Sequence, residues 1–240
     1  MSVEPAPAEG PSEPASPASQ PEGITLEYVQ QDEELSSFIT AADRVMEGLG
    51  YTEHGFRHAN LTARIAFNVL SRAGFDTHTA NLACVAGYLH DVGNMISRYA
   101  HGQTGGVLVY QALRDRVPST DLAQIVAAVA NHEEDNGYAV SPVSAAVILA
   151  DKSDVHRSRV RETDPMKFDQ HDRVNYASQH SFVRVDGEAK RIELEMTIDT
   201  SVAPLMDYFE IFLNRMVFVR RAVGFLGCEF WLTINRNRIL

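Results

Sequence analysis

Ala80-Asn81-Leu82-Ala83-Cys84-Val85-Ala86-Gly87-Tyr88-Leu89 runs without a charge into His90-Asp91, and Val92-Gly93-Asn94 follows at once. The run reads as a buried helix, and Gly93 marks its end. A polar pair at the end of such a helix costs free energy unless something satisfies it. With nine His and fifteen Asp in 240 residues, about half of one His-Asp dipeptide is expected by chance. The chain has a second, His171-Asp172, within the polar stretch Met166-Lys167-Phe168-Asp169-Gln170, and this one reads as a solvated loop.

Outward from His90-Asp91, other metal-ligating residue types recur at helix ends or within apolar helices. His58 opens the apolar-periodic stretch Leu61–Leu70, and His54 lies four residues before it, on the same face if that stretch is helical. His101 precedes Gly105-Gly106, where a helix through Val107–Leu113 is expected to start. His132 ends the pattern Leu122, Ile125, Val126, Val129, and Asp151 closes the apolar run Ala145–Ala150. Any one of these could be a capping or hydrogen-bonded core residue. Together, in the order His, His-Asp, His, His, Asp, they assemble imidazole and carboxylate ligands for divalent metal. His78, His156, His171 and His180 have polar neighbours and are left out of the set.

The rest of the chain bounds the fold. The 45% apolar content supports one large core. Residues 1–23 hold six of the ten prolines and are expected to be a disordered Pro/Ala/Glu-rich tail, with order beginning near Ile24. From 24 to 165 the pattern is helical: Leu35 to Leu49 recur at three- and four-residue steps, Thr77 is a candidate cap, and Ser141-Pro142 is a good helix start. Residues 166–240 form a smaller α+β appendage. Phe182–Val185, a turn around Asp186-Gly187, Ile192–Ile198 and Glu229–Ile234 alternate as strands, expected to be antiparallel and packed on a long helix over Val202–Phe225. That helix carries more apolar surface than one stripe needs, so it is expected to dock on the helical part and to support a homodimer, with an intramolecular lid as the alternative.

The net charge of −11 is uneven. Residues 1–43 hold nine acidic and no basic residues, so −2 remains for the body, and nothing argues for a nucleic-acid face. The uncharged runs Ala123–Asn131 and Ala139–Ala150 are too short to span a bilayer, and no membrane partner is expected. With no signal-peptide pattern, Cys84 and Cys228 read as buried free thiols of a cytoplasmic protein.

His58, Tyr88-Leu89-His90-Asp91-Val92-Gly93 and Ile148-Leu149-Ala150-Asp151 resemble the HD-domain metal-dependent phosphohydrolases, over roughly residues 36–165. His101 with Gly105, and Asn131-His132-Glu133, further resemble the two later motifs of the HD-GYP subgroup, which bind a second metal. The chain departs from that subgroup. Asn94 replaces a usual lysine, Asn131 a usual histidine and His54 a usual glutamate, and Gly137-Tyr138-Ala139 only hints at the Gly-Tyr-Pro signature. The resemblance implies a mainly α HD bundle holding one or two divalent ions (Mn, Fe or Mg). His58, His90, Asp91 and Asp151 would hold the first, and a bridging Asp91 with His101 and His132 the second. The implied reaction is hydrolysis of a small phosphorylated substrate such as a nucleotide. Asp91 and Lys152 are the candidate catalytic residues, and Asn94, Arg57 and Arg98 candidate substrate contacts. An HD-type diiron oxygenase and a metal-binding, non-catalytic sensor are the alternatives.

Overall fold

The structure is a computed structural model, and it describes residues 23–240; the tail expected over 1–23 lies, but for Gly23, outside the described residues. Helices carry the first two thirds: α1 (Leu26–Gln30), α2 (Glu33–Gly48), α3 (Phe56–Arg72), α4 (Thr77–Leu89), α5 (His101–Leu113), α6 (Ser119–Ala130) and α7 (Pro142–Ser153). Local chemistry sets several starts. Asp32 caps α2 by accepting from Leu35 N, and Asp76 rather than Thr77 caps α4 through Thr79 N. Ser141 and Ser144 form a reciprocal capping box at α7, with Pro142 in its first turn.

Two helix starts differ from expectation. His54 precedes α3 and is not on its face with His58, because the chain enters the helix only at Gly55. α5 begins four residues earlier than Gly105, at His101, and the residue before it, Ala100, holds the left-handed conformation (φ 54°). The cause is a close approach. The turn after the His-Asp pair packs on the first turns of α5, so that a Cβ on Gly93 would overlap the His101 carbonyl. α5 is thereby pinned by its first turn, with His101 turned to the interior.

α4 and α7 are buried along nearly their whole length; α3 and α6 pack against both, and α5 packs on α6 and on the turn that follows α4. The remaining elements are α8 (Gln170–Ala177), β1 (Ser178–Asp186), β2 (Arg191–Ile198), α9 (Leu205–Phe225), β3 (Glu229–Ile234) and β4 (Asn237–Arg238). They form one sheet of order β1-β2-β3-β4. β1–β2 and β3–β4 pair antiparallel, but β2–β3 pair parallel, which corrects the all-antiparallel expectation. α9 is the reason. It returns the chain to the starting edge of β2, so β3 must run in the same direction, the geometry of a βαβ unit.

Tyr208, Phe212 and Met216 of α9 belong to the same core that fills the helical part and the sheet. Phe218 and Ala222 of the same helix meet Ala145 and Ile148 of α7. α9 is therefore packed on the helical part within one chain, while Met206, Leu213 and Phe225 remain exposed along it. Among the described residues, no helix is long and apolar enough to cross a membrane.

Candidate metal centre

Four helices and two turns bring the predicted ligands to one buried place. His58 comes from the first turn of α3, His90 from the C-cap of α4, Asp91 from the residue after it, His101 from the first turn of α5, His132 from the turn after α6 and Asp151 from the last turn of α7. His58, His90 and His132 are fully buried and His101 and Asp91 nearly so. The helix ends at His90, which is what lets two adjacent residues converge.

Each imidazole is held by one nitrogen and offers the other. His58 Nδ1 lies 2.7 Å from Asp154 Oδ2, His90 Nδ1 2.8 Å from the Gly87 carbonyl, and His132 Nδ1 2.7 Å from the Val129 carbonyl. His101 Nδ1 faces the Arg98 carbonyl at 3.1 Å and pairs with Glu133 Oε1. An Nδ1–H donated outward fixes the tautomer and leaves the Nε2 lone pair directed inward. The four Nε2 atoms meet in pairs, His58 with His90 at 3.2 Å and His101 with His132 at 3.0 Å. Two lone pairs at that distance repel unless a proton or a metal cation lies between them. Ligands at about 2.1 Å and right angles around one ion are about 3.0 Å apart.

Asp91 divides its oxygens between the pairs. Oδ2 is 3.3 Å from His90 Nε2 and 3.7 Å from His58 Nε2; Oδ1 is 3.3 Å from His101 Nε2 and 3.7 Å from His132 Nε2. Asp151 Oδ1 joins the first pair, 3.4 Å from His58 Nε2 and 3.7 Å from His90 Nε2. Asp91 Oδ2 is buried without a hydrogen bond among the described residues, an expensive state that a bound cation would relieve. The groups His58-His90-Asp91 and Asp91-His101-His132 could each hold a metal ion. His90, His132 and Asp151 also converge, so the six form one continuous cluster.

The electrostatics favour positive charge. Burial opposes ionisation of Asp91, yet His90, His101 and His132 hold it well below the usual carboxylate range. Burial likewise opposes Asp151, and Lys152, His58 and His90 outweigh it. Burial lowers His90, but Asp91 and Asp151 raise it to about 10, whereas burial takes His132 down to about 4. The ionised Asp91 and Asp151 thus draw cationic charge toward the His90 side of the cluster.

The other sequence-predicted residues take several places. Asn94 is buried and its amide donates to Asp91 Oδ1 (2.9 Å) and to the Asp91 carbonyl, so it positions Asp91. Lys152 is buried too, 2.8 Å from Asp151 Oδ2 and 2.6 Å from Glu134 Oε2. Its ammonium lies between two carboxylates and braces Asp151. Arg57 is likewise engaged, its guanidinium bonding Glu53 at 2.9 Å and Asp154 at 2.7 Å. Arg98 stays at the surface of the cluster, 3.2 Å from His101 Nε2 and 5.5 Å above the Tyr51 ring.

Three features were missed in the sequence. Asp154 is one, three residues after Asp151 at the non-helical C-cap where α7 ends; that nearness to Asp151 in sequence was the available signal. Arg159 is another, buried and donating to the carbonyls of Glu53 and Asp154. The third is His171-Asp172, which is not a solvated loop. Asp169 caps α8, and that helix places both residues on a cavity of about 310 Å³ that Tyr51, His54 and Arg98 also line. A wider cavity of about 670 Å³ adjoins it, sharing Tyr51, Arg98 and His171 and reaching His101 and Glu133. His54 is pushed well below the ordinary imidazole range by burial and by Arg159, and its Nδ1 faces the Thr52 carbonyl at 2.6 Å. It is not among the groups that could hold a metal ion.

No family model matches the chain, and no curated protein matches it in sequence.

Proposed function

We propose that the chain is a metal-dependent phosphohydrolase of the HD-domain type, cleaving a small phosphoester such as a nucleotide with two divalent ions, Mn, Fe or Mg. The observation that carries this reading is the division of Asp91 between two imidazole pairs whose outer nitrogens are all pinned. Such a carboxylate suits a bridge between two ions. The donor set, four imidazoles and two carboxylates, suits borderline to hard divalent metals. Ions held there would supply Lewis acidity toward phosphoryl oxygens and lower the pKa of a bound water toward about 7.

The chain's own residues do the rest. Asn94 and Lys152 hold Asp91 and Asp151 in place, and Asp154 and Glu133 hold His58 and His101. Arg98 stands where a phosphoryl group would meet the cluster and can orient and neutralise its oxygens. The buried cluster keeps its carboxylates ionised without solvent.

The test is elemental analysis of the chain as purified, together with a panel of nucleotides and phosphoesters assayed with Mn, Mg and Fe. Phosphate release that stops on chelation and returns with metal is the expected result. Iron with oxygen uptake and no phosphate release would replace the hydrolase by an oxygenase, and bound metal with neither activity by a sensor.

A further inference from the structure

The 310 Å³ cavity beside the cluster is lined by charges of both signs: Arg98, Arg159 and Arg215 against Asp169 and Asp172. Most of them are used within the protein. Arg159 donates to two backbone carbonyls, and Arg215 pairs with Glu134 at 3.0 Å over the Phe212 ring. Asp169 accepts from the Asp172 amide as the cap of α8.

Two are not used. Arg98 has protein partners only at Nη1, which faces Asn94 Oδ1 and the His101 ring, and among the described residues it forms no ion pair with a carboxylate. Its remaining donors are free. Asp172 sits in the first turn of α8, where the helix dipole favours a negative charge. The backbone N–H of Asp169 approaches one of its oxygens, but among the described residues no side chain bonds or pairs with the carboxylate. Burial, and the Asp169 charge beside it, push its pKa up and outweigh the pull of that N–H, as expected of a half-covered carboxylate without a cation.

We propose that Arg98 and Asp172 read the two ends of one small ligand, Arg98 an anionic oxygen at the cluster and Asp172 a hydroxyl or amino donor on the rest of the molecule. This deepens the phosphohydrolase reading and rests on it. The substrate class becomes phosphoesters whose alcohol part carries hydrogen-bond donors, such as sugar or polyol phosphates and the ribose of nucleotides. Plain alkyl phosphoesters fill the same space but leave Asp172 unanswered. The cavity volume is at the lower end of small-molecule sites, so only one such group fits beside the phosphate.

The test uses a matched pair of probes, glycerol 3-phosphate and n-propyl phosphate, with inorganic phosphate as the third. Each is titrated calorimetrically into the full chain with Mn present, and phosphate release is followed in parallel. The wild type should bind glycerol 3-phosphate more tightly than propyl phosphate. Asp172→Asn should cut that preference about tenfold, the worth of a hydrogen bond to a charged group, while leaving propyl phosphate and phosphate unchanged. Arg98→Gln with full metal content should weaken all three. A wild type without the preference, or an Asp172→Asn chain that keeps it, overturns the Asp172 assignment; Arg98→Gln binding phosphate undiminished overturns the Arg98 one. If Asp172→Asn abolishes the preference while no sample releases phosphate from any ester, the cavity assignment stands and the hydrolase reading falls. Phosphate release with an unaltered preference gives the reverse.

Discussion

Asp154 touches no inward-facing atom of the cluster, yet replacing it should cost both metal affinity and stability. Its carboxylate is 1% exposed. It takes His58 Nδ1 at 2.7 Å, Arg57 Nη2 at 2.7 Å and Nη1 at 3.4 Å, and lies 3.7 Å from Arg159 Nε. Burial opposes its ionisation, but Arg159, the His58 hydrogen bond and Arg57 outweigh it and hold its pKa far below the usual carboxylate range. Asp154→Asn keeps the volume and one acceptor oxygen but turns an amide toward groups that themselves donate. Breaking a buried pair typically costs about 3–5 kcal/mol. Against a total stability of about 5–15 kcal/mol, the variant should fold with a clearly lowered urea midpoint. His58 would also lose the partner that fixes its tautomer, and such losses typically weaken metal binding about 10- to 100-fold. Competition with a chromophoric chelator measures the second effect and urea denaturation of the metal-stripped chain the first. Arg57→Ala serves as a graded control, because Asp154 keeps Arg159 and His58, so its effect should be smaller in both assays. A folded Asp154→Asn chain that binds metal within about twofold of wild type would refute the claim that Asp154 positions His58.

Asp91→Ala should lose metal from both imidazole pairs, whereas His132→Ala should mainly weaken one; full metal content in Asp91→Ala by elemental analysis would show the cluster wrongly assigned. Asp32 caps α2 and pairs with Arg116, and although burial opposes them, these contacts lower its pKa. Asp32→Ala should therefore cost about 1 kcal/mol at neutral pH. Because a depressed carboxylate stabilises above its unfolded pKa of about 3.9, the gap between wild type and variant should close as pH falls through the lower folded value, which denaturation curves at stepped pH would reveal. With α9 packed on α7 and into the common core of one chain, light scattering at micromolar concentration should give a mass near 26.6 kDa, and twice that mass would show the homodimer, with Met206, Leu213 and Phe225 as the exposed candidates for its contact.

The inward-facing residues of the cluster were legible because burying a polar group in an apolar helix leaves a mark in sequence. His90 after Leu89 and Asp151 after Ala150 are conspicuous for that reason. The residues that hold them were not, because they sit in polar surroundings where a charge needs no explanation. Asp154 and Arg159 fall in a stretch rich in charges, and their importance arises from folding against Glu53 and His58, about a hundred residues earlier. Helix starts set by tertiary contact were also hidden. Nothing local places the first turn of α5 at His101; it follows from Gly93 lying against it.

The strand directions show the same limit from another side. Alternation in Ile192–Ile198 and Glu229–Ile234 marks both as strands but carries no direction, since side-chain period is the same in parallel and antiparallel ladders. What decides direction is the connection, and a 21-residue helix between two neighbouring strands cannot be a hairpin. The length of the helix between that strand pair is therefore the signal for the parallel step. The consequence reaches the candidate site. A hairpin would leave β3 on its own, whereas the βαβ unit clamps α9 between the sheet and α7, with Phe218 and Ala222 against Ala145 and Ile148, three to six residues before Asp151. From that fixed position Arg215 reaches Glu134, which also takes Lys152, the brace of Asp151. The appendage thus supplies part of the support for the metal ligands, together with the α8 wall of the cavity that opens beside them.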